Sequence, residues 1–311
     1  MNDKSLAIRT DYTHIVELVV RSLESKNSQR AYRDAINDFL RWYTGQGHTA
    51  ISKAVVNEYR QELKAKGKSA SVINQRMSAI RRLAVEAADN GLVAVEIANG
   101  IAKVKGVKSA GVRAGNWLTK DQANQLLHSF DLTSLKGLRD RAIVAVMLGA
   151  GLRRSEVAEL TFAHIQQREA RWVIVDLIGK GGRVRSVPIP GWVVVAIDAW
   201  AGAAGISGGK VFRGVCRYGH IMQKDSESIT AQAVFYAVTD ATARIFPGRD
   251  ISPHDLRRTF AKLARKGGAE LTQIQLTLGH SSVAVTQRYV GEDQSLTDAP
   301  CDRLGLDLAG D

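Results

Sequence analysis

Residues 104–116, with the sequence VKGVKSAGVRAGN, limit more than any other stretch how this chain can fold. The stretch is rich in glycine, alanine and lysine, and its apolar residues follow neither the helical nor the strand period, which is typical of a linker. A chain of 311 residues is long enough for an ordinary domain on each side of it. We therefore predict one domain at residues 1–105, a linker at 106–116 and a second domain from residue 117.

The segment before the linker has the apolar period of amphipathic helices. One helix is predicted from Ser28 to Tyr43, with an apolar stripe at Tyr32, Ile36, Phe39, Leu40 and Tyr43. A second, from Ser69 to Ala88, repeats the pattern at Val72, Ile73, Met77, Ile80 and Leu83. A third candidate lies between them at residues 55–63. The first domain is therefore expected to be all helical.

Charge points to a polyanionic partner. The net charge is +12, with 19 Lys and Arg against 11 Asp and Glu in residues 1–115 and 24 against 20 in the rest. Basic residues are interleaved with the apolar positions of the first domain, and we take five of them as candidate DNA-binding residues: Arg30, Arg33, Arg76, Arg81 and Arg82. A solvated helix surface would show the same pattern, so both interpretations stay open.

Membrane and metal-binding classes find no support in the sequence. No run approaches 18 uninterrupted apolar residues, and the first residues lack the apolar core of a signal peptide, so we expect a cytoplasmic protein. The two cysteines, Cys216 and Cys301, form neither a disulfide framework nor a metal-ligand spacing. Cys216 with His220 comes nearest to such a spacing and is a weak candidate. We predict no metal and no cofactor.

The second domain combines helices with a β-hairpin. Thr119 and Gln122 form a capping-box pattern, and residues 142–148 form an apolar helix that Gly149 and Gly151 are expected to end. Residues 171–178 and 183–189 read as two strands joined by a glycine-rich turn. Further helices are predicted at residues 192–203, 229–246, 253–266, 270–278 and 282–290. The fold class is thus mainly α with a small antiparallel sheet.

Six residues of the second domain could together act on one phosphate: Arg153, Lys180, His254, Arg257, His280 and Tyr289. Arginine provides a fork-shaped clamp for anions, and histidine and lysine transfer protons, whereas tyrosine can be a nucleophile. Taken singly, each has an ordinary interpretation. His254 and Arg257 would suit a capped surface helix, Lys180 a solvated turn, and Tyr289 a packing residue.

The ordered motifs that carry these residues are GLRRSE at 151–156, GKG at 179–181, HDLR at 254–257, LGH at 278–280 and the late Tyr289. In this order they resemble the tyrosine recombinases, the phage integrase and Xer-like family. The resemblance implies that Arg153 and Arg257 clamp the phosphate, that Lys180 is the general acid and that Tyr289 is the nucleophile. It implies further that His254 and His280 assist and that Glu156 supports the site without reacting.

The same resemblance implies a domain layout and partners. Residues 1–105 would be a helical, SAM-like core-binding domain, residues 117–291 the catalytic α+β domain, and residues 292–311 a tail that docks on a neighbouring protomer. A frayed acidic tail is the alternative for the last segment. We therefore expect the partner to be double-stranded DNA with specific sites and the assembly to be a homotetramer on paired sites. We also expect accessory directionality proteins and a nucleoid-associated location.

Two other functions compete with site-specific recombination. A type IB topoisomerase would use a similar clamp and tyrosine, and an inactive DNA-binding regulator would keep the fold without the chemistry. The complete set of six residues counts against the regulator. The target DNA and the choice among integration, excision, dimer resolution and inversion are not legible from one sequence.

Overall fold

The computed structural model describes residues 4–108, 116–179, 182–222 and 228–291, apart from the side chains of residues 4–11 and 288. The chain divides into two compact units, Met1–Arg113 and Ala114–Asp311. The division falls within the predicted linker, but residues 109–115 lie outside the described ones, so the linker and the domain boundaries stay predictions. The tail at 292–311 also lies outside them.

The described part of the first unit is helical throughout its regular structure. Its helices are α1 (Lys4–Arg21), α2 (Lys26–Gly45), α3 (Lys53–Ala65), α4 (Ala70–Asp89) and α5 (Val95–Ala102). Serine side chains begin two of them, because Ser52 accepts a hydrogen bond from the backbone N–H of Val55 and Ser69 one from that of Val72, both at 3.3 Å.

The apolar stripes predicted for α2 and α4 form the core of this unit. Ile36 and Phe39 of α2 and Met77, Ile80 and Leu83 of α4 are fully buried. Val72 is the exception, since it is 39% exposed and lies at the N-terminal edge of the stripe of α4. The all-helical character predicted for residues 10–100 is confirmed over its described part.

The second unit surrounds one strongly apolar helix. The helices are α6 (Lys120–Leu127), α7 (Leu135–Ala150), α8 (Arg154–Glu159), α9 (Gly191–Ala204), α10 (Ala231–Ile245), α11 (Pro253–Lys266), α12 (Leu271–Leu278) and α13 (Val283–Val290). Every residue of α7 from Ala142 to Ala150 is buried. The capping box predicted for Thr119 and Gln122 begins α6, with Thr119 Oγ1 accepting from the Gln122 N–H at 3.2 Å.

Gly149 does not end α7 as the sequence suggested. The helix continues to Ala150, and Gly151 ends it in the left-handed conformation with φ of 61°. Gly149 is a packing residue, because a Cβ atom there would lie 2.3 Å from Cγ2 of Val193 on α9. The glycine lets α7 and α9 approach closely.

A three-stranded antiparallel sheet with the order β1-β2-β3 covers one side of this unit. The predicted hairpin is present as β2 (Arg171–Ile178) and β3 (Val184–Ile189), with Ile174 opposite Val187. The sequence did not reveal β1 (Ile165–Arg168), which is short and polar and pairs with the start of β2. The predicted fold class, mainly α with a small antiparallel sheet, is confirmed.

Candidate active site

Arg153 and Glu156 form the first part of the site, at the junction of α7 and α8. Left-handed Gly151 turns the chain after the buried α7, and Arg153 is then the N-cap residue of α8. The Glu156 carboxylate accepts from the Arg153 backbone N–H at 2.8 Å and from Arg153 Nη1 at 2.9 Å. One buried acidic residue therefore fixes both the backbone and the side chain of Arg153.

Arg257 and His254 come from the first turns of α11. Pro253 occupies the first turn of this helix, and Ser252 donates to Asp255 through its backbone N–H at 3.0 Å and its hydroxyl at 2.6 Å. His254 and Arg257, three residues apart, lie on neighbouring positions of the helix surface. The predicted helix start at Ser252 is thus present and places both side chains.

Arg257 is almost fully buried, at 2% exposure. Its Nη1 donates to the Gly151 carbonyl and its Nη2 to the Leu278 carbonyl, so it connects the ends of α7 and α12. Burial, followed by the nearby charge of Arg153, lowers the pKa of Arg257 to about 10. The group remains a cation at neutral pH, and the free energy that holds a buried cation in place comes from these carbonyls and from Glu156, 4.0 Å away.

His280 follows α12 directly. Gly279 ends that helix in the left-handed conformation, and the His280 ring contacts Thr286 of α13, with Nδ1 3.0 Å from Oγ1. Burial and the charge of Arg257 lower the pKa of His280 to about 4. The imidazole is therefore neutral at physiological pH and acts there as a hydrogen-bonding group.

Tyr289 lies near the end of α13, between the two histidines. Its ring centroid is 5.2 Å from that of His254 and 5.1 Å from that of His280, and its hydroxyl donates to the His254 carbonyl at 3.2 Å. Arg258 Nε donates to the Tyr289 carbonyl at 2.9 Å. Burial raises the pKa of Tyr289 to about 12, although Arg257 and Arg258 oppose the shift. The phenol is protonated at rest.

His254 lies at the rim of an open cleft of about 360 Å³ that Arg153 and Arg257 also line. Partial removal of the His254 imidazole from water, together with the charge of Arg257, lowers its pKa below 6.5. A neutral imidazole beside a protonated phenol can accept a proton from it. The cleft thus places a neutral base beside the cationic side chains of Arg153 and Arg257, while Tyr289 lines a separate depression that also has His254 in its wall.

The structure brings together five of the six predicted residues and the predicted support Glu156. The sixth residue, Lys180, lies outside the described residues, as does Gly181 of the same turn. The catalytic roles of all these residues stay predictions. No group of three or more His, Cys, Asp or Glu that could hold a metal ion occurs in the described ranges.

Three of the five candidate DNA-binding arginines already have partners within the first unit. Arg33 bonds both Glu17 carboxylate oxygens at 2.9 Å, Arg76 pairs with Asp38 at 2.5 Å, and Arg81 donates to the Val104 carbonyl. Arg30 and Arg82 are exposed. The structure therefore favours these two for contact with a ligand, while DNA binding by any of the five stays a prediction.

Sequence reasoning missed Arg185, a buried member of the site. Its Nη1 and Nη2 donate to the two oxygens of Glu156 at 3.0 and 2.8 Å, and its Nε donates to the Thr277 carbonyl at 2.8 Å. A signal was present in the sequence, because residues 185, 187 and 189 alternate onto one face of β3 and Val187 and Ile189 are buried. A charged residue at an inward strand position needs a buried partner.

Comparison with known proteins gives matches to both units of the chain. The model of the phage integrase family matches residues 116–295, and that of the phage integrase N-terminal SAM-like domain matches residues 17–91. Tyrosine recombinase XerC of Xylella fastidiosa (strain 9a5c) is 28% identical over 275 residues, which cover 86% of this chain and 87% of the relative. Tyrosine recombinase XerD of Bifidobacterium longum is 29% identical over 270 residues, which cover 83% and 84%.

Solved structures share the fold at lower identity. A lambda integrase dimer bound to a COC′ core site matches with a TM-score of 0.67 and 16% identity, over 90% of this chain and 94% of that one. XerH recombinase bound to palindromic difH DNA matches with 0.65 and 16%, over 85% and 76%. No helix in the described ranges is long and apolar enough to span a membrane. With a family model matched over more than half of its length, the chain belongs to the phage integrase family of tyrosine recombinases.

Proposed function

We propose that this chain cleaves and rejoins DNA at specific sites through a 3′-phosphotyrosyl intermediate, in the integration, excision or resolution of DNA elements. The observation that carries the proposal is the position of the Tyr289 ring, whose centroid lies 5.2 Å from that of His254 and 5.1 Å from that of His280, near the buried guanidinium of Arg257. The nucleophile therefore adjoins a base that itself lines one cleft with the two arginines of the anion clamp. The family match supports the same activity.

In the cleavage step, the Tyr289 oxygen attacks the scissile phosphorus. A bond forms between this oxygen and phosphorus while the bond from phosphorus to the 5′ oxygen breaks, which leaves a free 5′-hydroxyl. The phosphodiester is exchanged for a phosphotyrosyl ester of similar energy, so rejoining needs no ATP. A 5′-hydroxyl from the partner strand then attacks the ester and releases Tyr289.

Arg153 and Arg257 stabilise the negative charge that grows on the non-bridging oxygens, so the scheme assigns no step to a metal ion. A guanidinium suits this task because its planar fork meets two oxygens at once. Arg257 is held by two backbone carbonyls and Arg153 by Glu156, so neither side chain needs to reorganise when phosphate binds. Neutral His280 adds a hydrogen bond.

Two protons move in the forward step. The proton of Tyr289 passes to His254, whose lowered pKa keeps its imidazole neutral and able to accept. The 5′ oxygen gains a proton from Lys180, which the family motif at 179–181 supports. In the rejoining step both transfers run backwards.

The assembly we propose is a homotetramer on paired DNA sites, with accessory proteins that set direction, acting on the nucleoid in the cytoplasm. Several related folds were solved with DNA, among them XerH bound to difH and a lambda integrase dimer on a core site, which supports site-specific DNA as the partner here. The net charge of +12 suits that partner.

Sequencing of protein-linked DNA tests the proposal. Wild type and Tyr289→Phe would be expressed in cells that carry the native locus, and covalently bound DNA would be recovered after denaturation. We expect reproducible 3′ ends at one site for wild type and none for Tyr289→Phe, which should still bind the site because the ring is kept. Adducts without sequence preference would favour a type IB topoisomerase instead. Adducts that persist in the Phe variant would remove Tyr289 from its role.

A further inference from the structure

Arg185 joins three separate elements of the second unit from a buried position. It lies on β3, bonds Glu156 of α8 through both terminal nitrogens, and bonds the Thr277 carbonyl of α12 through Nε. Only 9% of its side chain is exposed. We propose that Arg185 is a positioning residue for DNA cleavage, which holds Arg153 through Glu156 and holds His280 through the end of α12. This inference rests on the proposed function.

The first route runs through Glu156. Its two carboxylate oxygens are shared among Arg185, Arg153 and, at 4.0 Å, Arg257. Arg185 contributes two parallel bonds to this carboxylate, the geometry that orients a carboxylate most firmly. Without Arg185, Glu156 could rotate, and both its backbone and side-chain bonds to Arg153 would lose their fixed direction. The clamp on the phosphate would then be looser.

The second route runs through the last turn of α12. Two successive carbonyls there, of Thr277 and Leu278, accept from Arg185 Nε and Arg257 Nη2. Carbonyls at the end of a helix lack partners within the helix, and cations stabilise that end. The two buried arginines thus fix the point at which the chain leaves α12 for Gly279 and His280.

Gly279 shows how closely Arg185 fits this turn. A Cβ atom on Gly279 would lie 3.1 Å from Cδ of Arg185 and 3.3 Å from its Nε. Gly279 also has φ of 63°, so a side chain is disfavoured there for two reasons. The His280 turn is therefore packed directly on the stem and head of Arg185.

Lysine at position 185 could not replace these contacts. The planar guanidinium of Arg185 bonds Glu156 in one direction and the Thr277 carbonyl in another. The ammonium group of lysine has no such fixed geometry and would reach only one of the two. Arg185→Lys keeps the charge and most of the buried stem, so it separates geometry from electrostatics. Arg171→Lys, at the exposed start of β2, is the matched control.

The test compares cleavage and histidine titration in these variants. Single-turnover formation of the covalent adduct would be measured at saturating protein, on DNA carrying the site recovered with wild type. We expect Arg185→Lys to bind that DNA within about threefold of wild type but to cleave about 10- to 100-fold more slowly, since misplacement of a catalytic group by about 1 Å has effects of that size. Arg171→Lys should match wild type in both.

A second readout needs no DNA. The pKa of His280 would be followed by NMR in the free protein, where burial holds it near 4. In Arg185→Lys it should rise towards 6.5, because the turn loosens while the positive charge stays. A variant that cleaves at the wild-type rate and leaves the His280 pKa unchanged would overturn the inference. If wild type formed no adduct at all, the proposed function would fail, and the titration alone would still decide whether Arg185 positions His280.

Discussion

The proposed nucleophile, Tyr289, has a resting state that does not favour attack. Its pKa of about 12 leaves the phenol protonated at neutral pH, and a neutral phenol is a poor nucleophile. His254 offsets the disadvantage, since its ring adjoins that of Tyr289 and is neutral. In the proposed reaction, His254 would therefore activate Tyr289.

The depressed pKa of His280 predicts how stability depends on pH. Between pH 6.5 and about 4 the unfolded chain binds a proton at this residue and the folded chain does not. The unfolded state then holds more protons, so the free energy of unfolding should fall as the pH falls through that window. His254, with its pKa shifted in the same direction, adds to the effect.

Urea unfolding at several pH values between 6.5 and about 4 measures this slope. Glu156 contributes to the pH dependence of stability only near the lower end of that range. Burial alone would raise its pKa, but bonds from Arg185 and Arg153 lower it below 4.5, so its contribution is lost only at lower pH. We expect His280→Gln to flatten the profile, because glutamine does not titrate. An unchanged slope in His280→Gln would mean that the folded protein protonates His280 normally.

At the scale of elements, the left-handed end of α7 controls where two catalytic candidates lie. Gly151 has φ of 61°, its carbonyl accepts from Arg257, and Arg153 follows two residues later. A Cβ atom on Gly151 would lie 2.6 Å from Cδ1 of Phe260. This position excludes side chains both by conformation and by space.

Gly151→Ala should therefore destabilise the protein more than Gly205→Ala. Gly205 ends α9 with a similar φ of 63°, but a Cβ atom there would meet no described atom within 4 Å, so its substitution carries only the conformational cost of about 1–2 kcal/mol. The clash in Gly151→Ala should add about 1–3 kcal/mol. Thermal or urea unfolding of both variants measures the difference. Equal losses would show that Phe260 moves aside without cost.

Helices and strands were predictable from the sequence where their apolar residues repeat with a clear helical or strand period. The helices α2, α4 and α11 and the hairpin of β2 and β3 lie within a few residues of the expected ranges, whereas α7 begins at Leu135, seven residues before its expected start. The four-residue strand β1 was not predicted, because its sequence IQQR does not alternate apolar and polar residues. The six-residue helix α8 was not predicted, because it is too short to show a helical period. Gly149 was wrongly predicted to end α7, because the sequence does not distinguish a glycine that packs against Val193 from one that ends a helix.

Residue types and order predicted the members of the candidate site, but not how they are held. The motifs contain Arg153, Glu156, His254, Arg257, His280 and Tyr289, yet the bonds from Arg257 to the ends of two helices join residues 106 and 21 positions apart. Arg185 is 29 residues from Glu156 and 92 from Thr277. Contacts over such separations depend on tertiary packing, so the local sequence can show that Arg185 needs a buried partner but not which residue that partner is.

Across the whole molecule, the two units have separate cores and unequal charge. Apolar residues of the first unit cluster around α2 and α4, and those of the second around α7. The basic excess is greater per residue in the first 115 residues, where 19 Lys and Arg face 11 Asp and Glu. All the candidate catalytic residues belong to the second unit. The basic excess and the candidate catalytic residues are thus weighted towards different parts of the chain.

The anchoring of Tyr289 has a consequence for any assembly of this protein. Its carbonyl is held by Arg258 and its hydroxyl by the His254 carbonyl, and both belong to the same polypeptide. Each subunit would then cut the strand that its own arginines grip and would borrow no nucleophile from a neighbour. A mixture of Tyr289→Phe and Arg257→Lys subunits should accordingly form no more adduct on paired sites than either variant alone. Restored cleavage would instead reveal subunits that share one active centre between two chains.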